Sequence, residues 1–333
     1  MSIRKATHAG SWYSGKGTAL NNELTSWLAD AIPSEEDKFA FPVQGSKAII
    51  APHAGYSYSG PAAAWAYKSI DTSGIKRVFI LGPSHHVYLD GCALSRCREY
   101  ATPIGNLPLD LSTIDELRKT GSFSDMDIAT DEDEHSIEMH LPYVRKAFEG
   151  LDIQIVPILV GAIGKEKEKS FGKVLSPYLA RSDTFCVVSS DFCHWGTRFQ
   201  YTYYYLNAPT GDETKSTGLR LSRSNASSTI SPDFPIYASI EALDRQAMDI
   251  LTLPPSTGAQ AHDHFAQYLS QTKNTICGRH PIGVLLGALA EIDRGLEGVS
   301  KNVIMKWVRY EQSSQCRNIN DSSVSYASAY VAF

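Results

Sequence analysis

The chain has 333 residues with 31 basic and 36 acidic side chains, a formal charge of −5, and no strongly basic block. That length is enough for one large α/β domain or two smaller ones, and the charge balance gives no footprint for nucleic acid or a membrane surface. No apolar run is long enough to span a bilayer, and Met1–Ala6 is not followed by the apolar core of a secretion signal. Six cysteines spread over so long a chain do not resemble a secreted disulfide framework. The expected location is the cytoplasm, with the nucleus as a second location, and the two Asn-x-Ser matches at Asn225 and Asn320 read as chance.

Taken in order, Thr7 to Tyr13 is a polar and aromatic segment with His8 and Trp12 close together. Leu20, Leu24, Trp27 and Leu28 follow at intervals of three and four, the spacing of one helix face. Residues 32–46 read as a surface connection, and Lys47 to Ala51 as a buried strand closed by Pro52. His53, Gly55 and Gly60 lie in the loop beyond it, and Pro61 suits the first turn of a packed helix. Arg77 to His86 repeats the arrangement: Val78 to Leu81 is an apolar run too short for a helix, Gly82-Pro83 stops it, and His85 and His86 come next. Asp115 to Lys119 predicts a short helix, and the acidic run from Asp131 to Glu134 reads as a helix-start cap. His135, Glu138 and His140 then crowd into six residues. On one helix they do not all face the same way, so a supporting or substrate-facing role is expected for one or two of them.

Ile153 to Gly161 reads as a strand that Pro157 places at a bulge or an edge. Lys165 to Leu179 is a helix, and Phe185 to Ser189 a third strand that releases Asp191 and His194. Residues 207–235, rich in Gly, Ser, Thr and charge, read as a flexible surface insertion inside the domain. Helices are expected at Ile240–Leu251, His262–Leu269 and Ile282–Ile292, and strands at Met305–Tyr310 and Ser323–Val331 completing or edging the sheet. The rhythm predicts a single α/β domain over 1–333 with a mostly parallel central sheet covered by helices.

Parallel sheets bind ligands at the carboxyl ends of their strands, where this chain places its histidines. The candidates are His53, His85 or His86, His194, and Cys277 or His280, with Asp191 able to orient an imidazole or act as a base. Imidazole and thiolate together bind zinc, copper or iron. The competing chemistry is a Cys277 nucleophile, its pKa lowered ahead of a helix, with a histidine base.

The segments T-H-A-G-S-W-Y, A-P-H-A-G-Y, I-L-G-P-S-H-H, D-E-D-E-H-S-I-E-M-H-L-P-Y, S-S-D-F-C-H-W-G, C-G-R-H-P-I-G and Y-x-Q-S-S-Q-C-R closely resemble the MEMO family, named as a mediator of ErbB2-driven cell motility. The resemblance runs from His8 to Ala329, and residues 207–235 are its main unmatched part. It implies a fold like that of the class III extradiol non-haem iron dioxygenases, with metal ligands at His53, His85 and Cys277. His194 and Asp191 would line the same catalytic pocket. His8, Trp12, Tyr56, His86, His135, His140, Arg279 and His280 are expected around it in supporting or pocket-lining roles. Cys277 stands where those enzymes carry a carboxylate, which shifts preference to copper, with iron and zinc as alternatives, and argues against ring cleavage. The implied function is an intracellular copper- or iron-binding redox protein supporting reactive-oxygen production, metal homeostasis and motility or invasive-growth signalling. The alternatives are a phosphotyrosine-peptide adaptor using the same pocket and a true dioxygenase.

Overall fold

The computed structural model describes residues 2–207, 218–295 and 302–333. At its centre four strands run parallel in the spatial order Ser46–Ala51, Thr184–Ser189, Arg77–Pro83, Gln154–Val160. Their apolar runs are almost wholly buried, as expected of strands covered on both faces. The chain crosses from Ser46–Ala51 to Arg77–Pro83 through the helix Tyr56–Lys68, and in the opposite direction from Gln154–Val160 to Thr184–Ser189 through Lys165–Leu179. Right-handed crossovers of opposite direction put their helices on opposite faces.

Antiparallel strands flank this core, so the sheet is mixed and only its centre is parallel. Ser323–Ala332 pairs antiparallel with Ser46–Ala51 and, beyond the end of that strand, with His194–Trp195 on one side, and with Ile304–Gln312 on the other. The connection 313–322 between the two long late strands is too short for the helical crossover a parallel pair needs. At the other end Cys92–Leu94 pairs antiparallel with Gln154–Val160 and parallel with Phe123–Asp125.

Pro157 sits inside the sheet, neither at an edge nor at a bulge. Its nitrogen faces the same side as that of Leu159, away from Arg77–Pro83. There it falls between Ile158, where pairing with Cys92–Leu94 ends, and Ile155, whose carbonyl takes the Asp110 N–H. Pro61 also differs from expectation. The helix starts five residues earlier, at Tyr56, whose N–H is donated to the Trp12 carbonyl, so the proline lies inside it. The acidic run and the segment after it form three short helices, Ile128–Asp133, His135–Glu138 and Leu141–Ala147. Asp127 and Glu134 cap the first two.

The helices Lys165–Leu179 and Arg279–Arg294 touch backbone to backbone: a Cβ on Gly172 would lie 2.5 Å from the Ala288 nitrogen. Gly258–Thr272 packs against Arg279–Arg294, and Ile236–Leu251 against Gly258–Thr272. Of the expected insertion, 208–217 lies outside the described residues. The remainder carries a strand, Gly218–Arg220, paired with Tyr203–Tyr205, and it buries Leu221 and Ala226. No helix among the described residues is long and apolar enough to cross a membrane.

Candidate metal centre

Three adjacent core strands end at one cleft: Ser46–Ala51 leads to His53, Thr184–Ser189 to Asp191 and His194, and Arg77–Pro83 to His85. The cleft is a cavity of about 490 Å³ whose floor is His53, His85, His135, Asp191 and His194. Trp12, Tyr58, Arg198, Phe199, Tyr326 and the serines 313, 314, 322 and 323 form its walls.

His53 is fixed at two points. Its backbone N–H is donated to Asp191 Oδ1 at 2.8 Å, and its Nδ1 lies 2.6 Å from Ser189 Oγ. The Ser189 hydroxyl spends its proton on the Ser136 carbonyl at 2.8 Å. His53 Nδ1 must therefore be the donor to Ser189, which leaves Nε2 unprotonated, with Cys277 Sγ at 3.3 Å from it. Burial, then the neighbouring His85 and His135, hold this imidazole well below its ordinary pKa.

His85 is held in the same way by a different group. Its backbone N–H and its Nδ1 lie 2.7 and 2.9 Å from the two oxygens of Glu134. Glu134 also accepts the Ser136 N–H, and burial works against its charge, yet His85 keeps its pKa below the usual carboxylate range. A carboxylate on the far nitrogen of an imidazole is the arrangement that orients metal-binding histidines. His135 stacks on His85 at 4.3 Å between ring centroids and is itself covered by Trp12 at 4.5 Å. Burial, then His85, depress its pKa.

Cys277 arrives from the opposite side. Its Sγ lies 3.3 Å from His53 Nε2 and accepts the Asp191 N–H at 3.2 Å. Only glycine fits at the next position, since a Cβ on Gly278 would sit 2.3 Å from the Ser189 carbonyl oxygen. The expected lowering of the Cys277 pKa ahead of a helix is overturned. Burial, then Asp191, push the thiol well above its ordinary value, so it is protonated and a poor nucleophile unless a metal displaces the proton. Asp191 is buried as well, and burial raises its pKa.

Among the described residues two sets of side chains have ligand atoms within 4.8 Å of one another, His53 with His85 and His135, and His53 with Asp191 and Cys277. Neutral imidazoles, a thiol and a carboxylate are donors that fit a transition metal. His53 and His85 line the cavity and Cys277, which does not line it, touches His53, so the three do not form a single set. His194 lines the cavity with Nδ1 at 2.9 and 3.0 Å from the Phe192 and Thr275 carbonyls, which leaves Nε2 as an acceptor.

The remaining expected pocket residues divide. Trp12 lines the cavity and His8 stands beside it, its Nδ1 2.9 Å from Glu138 and its ring 5.7 Å from that of Trp12. His86 is exposed, its ring edge-on to His135 at 5.8 Å. Tyr56 does not line the cavity; it is buried beneath it with its hydroxyl donated to the Met139 carbonyl, because it opens the helix instead of ending the loop. His140 is in the core beside the Tyr67 hydroxyl at 2.7 Å, and its Nε2 has no partner among the described residues. Arg279 and His280 face away into a separate cavity of about 270 Å³, where His280 and His262 bind the two oxygens of Glu168 at 2.7 and 2.6 Å. Glu134 and Ser189, which set the tautomers of His85 and His53, are missed by sequence reasoning. An acid directly before His135 was the available signal for the first.

His140 makes the folded chain sensitive to acid. Burial pushes its pKa down to about 3, so between the ordinary value near ~6.5 and that value the unfolded chain binds one more proton. Its contribution is fully present above the ordinary value and is lost as pH falls, at about 1.4 kcal/mol per pH unit. Urea unfolding between pH 7 and 4 should show His140→Phe falling less steeply than wild type by that slope. Parallel curves would refute the assignment.

Residues 4–330 match the family described as Memo-like protein. Protein MEMO1 of Xenopus laevis is 49% identical over 327 residues, covering 97% of this chain and 95% of that protein. The protein memo-1 homolog of Caenorhabditis elegans is 40% identical over 328 residues, covering 98% and 81%. A solved structure of an uncharacterized Escherichia coli K12 protein aligns over 84% of this chain and 98% of that one, at 12% identity and a TM-score of 0.46, too low to carry an argument. On the family match and these identities, which span nearly the whole chain, this protein belongs to the Memo-like protein family.

Proposed function

We propose that the cleft binds a redox-active transition metal, copper first and iron second, and that the protein is an intracellular metal-binding redox protein serving metal homeostasis and motility signalling. The observation that carries this reading is the convergence of two ligand sets on the unprotonated Nε2 of His53 at the floor of an open cavity. Cys277 adds a soft thiolate, which favours copper(I) and zinc over the all-oxygen preference of magnesium or calcium. His194 Nε2 supplies a base on the same cavity wall.

Metal-free protein titrated with copper(I), copper(II), iron(II) and zinc should take up copper stoichiometrically, and the copper form should consume oxygen in the presence of a thiol reductant. Failure to retain any of these ions through desalting would sink the reading. A peptide-binding role is the second reading, favoured by Arg198, Tyr58, Tyr326 and the serines around the mouth. It predicts phosphotyrosine-peptide affinity that survives replacement of Cys277.

A further inference from the structure

Away from the cleft, three helices meet around one buried carboxylate. Glu168 on Lys165–Leu179 lies between His262 on Gly258–Thr272 and His280 on Arg279–Arg294, its oxygens 2.6 Å from His262 Nε2 and 2.7 Å from His280 Nδ1. Gly283, just beyond His280, makes the room, since a Cβ there would sit 2.4 Å from Glu168 Oε2. Burial works against the charge of Glu168, yet the two imidazoles hold its pKa below the usual carboxylate range. An ionised carboxylate only accepts, so both rings donate to it and each keeps its second nitrogen for another partner.

A pin between helices uses one nitrogen of each ring and accounts for nothing more. His262 is 1% exposed and its Nδ1 has no partner among the described residues, a cost that pinning does not require. His280 is only partly buried, and in the neutral ring its Nε2 is an acceptor. Both histidines line the cavity of about 270 Å³, and so does Arg279. The Arg279 guanidinium bonds to the Ile276 carbonyl at 3.4 Å and meets no carboxylate among the described residues. Lys165 also lines the cavity, paired with Asp263 at 3.0 Å. Lys165 and Arg279 open their helices, neither of which has a side-chain cap, so two positive helix ends add to the cationic rim. Ile163, Phe265, Ala266 and Leu269 make the rest of the wall largely apolar. A few polar groups on an apolar wall, at a volume just under the range of about 300–1,000 Å³, suit a small organic molecule.

We infer that this second cavity is a binding site for a small hydroxy acid with an apolar body. The carboxylate of the ligand meets Arg279 and the two helix starts, its hydroxyl donates to His280 Nε2, and its hydrocarbon lies against Phe265 and Leu269. Glu168 acts through His280 as a positioning residue, fixing which nitrogen is left for the ligand. Arg279 would hold any small anion, whereas the oriented imidazole selects one that carries a donor.

The probe is 2-hydroxy-4-methylpentanoate, titrated calorimetrically into the full chain beside 4-methylpentanoate, which lacks the hydroxyl, and 4-methylpentane-1,2-diol, which lacks the charge. The hydroxy acid should bind as one saturable equivalent at millimolar concentration or below. The deoxy acid should bind about tenfold more weakly, and the diol more weakly than the hydroxy acid by more than about tenfold. Arg279→Gln should weaken both acids by about tenfold or more and leave the diol unchanged. His280→Asn, with circular dichroism unchanged, should bind the two acids alike, because the hydroxyl has lost its acceptor. A merely structural role for the three-helix cluster would lower the stability of His280→Asn and leave the ratio between the acids where it was, overturning the inference. Three further results would overturn it without any reliance on that variant: no saturable binding of the hydroxy acid by the wild type at millimolar concentration, equal wild-type affinity for the two acids, or affinity untouched by Arg279→Gln.

Discussion

Replacing His53 with glutamine should remove metal binding altogether, lowering affinity for copper and zinc by more than about two orders of magnitude, beyond the usual cost of losing a supporting partner. Among the described residues His53 alone belongs to both ligand sets, so its loss takes a donor from each. The effect should also be separable from misfolding. Glutamine keeps the backbone N–H that Asp191 accepts, and the Ser189 hydroxyl keeps its own bond to the Ser136 carbonyl. Competition with a chromophoric chelator measures the loss, and a decrease under about tenfold would show that the ion is held elsewhere.

Arg4→Met should produce the largest fall in stability. The Arg4 guanidinium is fully buried and reaches Asp131 at 3.1 Å, Glu138 at 2.6 Å and the Glu134 carbonyl at 2.9 Å. Its removal leaves two buried carboxylates without their cation, a change that costs about 3–5 kcal/mol where a buried pair is broken from one side. The midpoint of thermal unfolding should fall by on the order of 10 °C, and a cost below about 1 kcal/mol would put this network with weak surface pairs.

Glu138 explains why the damage would reach the site. It also accepts the backbone N–H of His8 and the hydroxyl of Tyr13, so the segment carrying Trp12 hangs on the same carboxylate. Burial alone would raise the Glu138 pKa, but His8 and Arg4 bring it down to about 2. Its share of stability is therefore present above the ordinary carboxylate value and is lost as pH falls toward 2.

The strand ends were legible because a continuous apolar run closed by Gly-Pro or Pro admits few structures, and His53 and His85 follow such runs, while His194 follows an apolar run that ends in Ser189-Ser190. The parallel centre of the sheet followed from the alternation of strands and helices. Its antiparallel margins did not, because strand direction depends on where a connection returns and not on the strand's own residues. His135 was obscured by treating residues 135–148 as one helix. The break at Glu134, whose ψ is 120°, and the end of the four-residue helix at Met139 send His135 to the cleft, Glu138 to Arg4 and His140 to the core. Arg279 and His280 were misplaced for a related reason. Cys277 precedes the helix and Arg279 begins it, so two residues suffice to turn from the contact with His53 to the second cavity. Arg4 carried no local signal, since its acidic partners lie 127 and 134 positions away.

The order of strands in the sheet also sets a time in the life of the chain before which the cleft cannot exist. Thr184–Ser189 lies between the strand that carries His53 and the strand that carries His85. Those two histidines emerge from the ribosome early, yet their strands are not neighbours and have nothing to hold them at the right spacing until residue 189 has been made. Cys277 follows 88 residues after that, an interval of about 4–18 s at ~5–20 residues per second. A nascent chain therefore presents scattered imidazoles, and both ligand sets exist only in the finished protein.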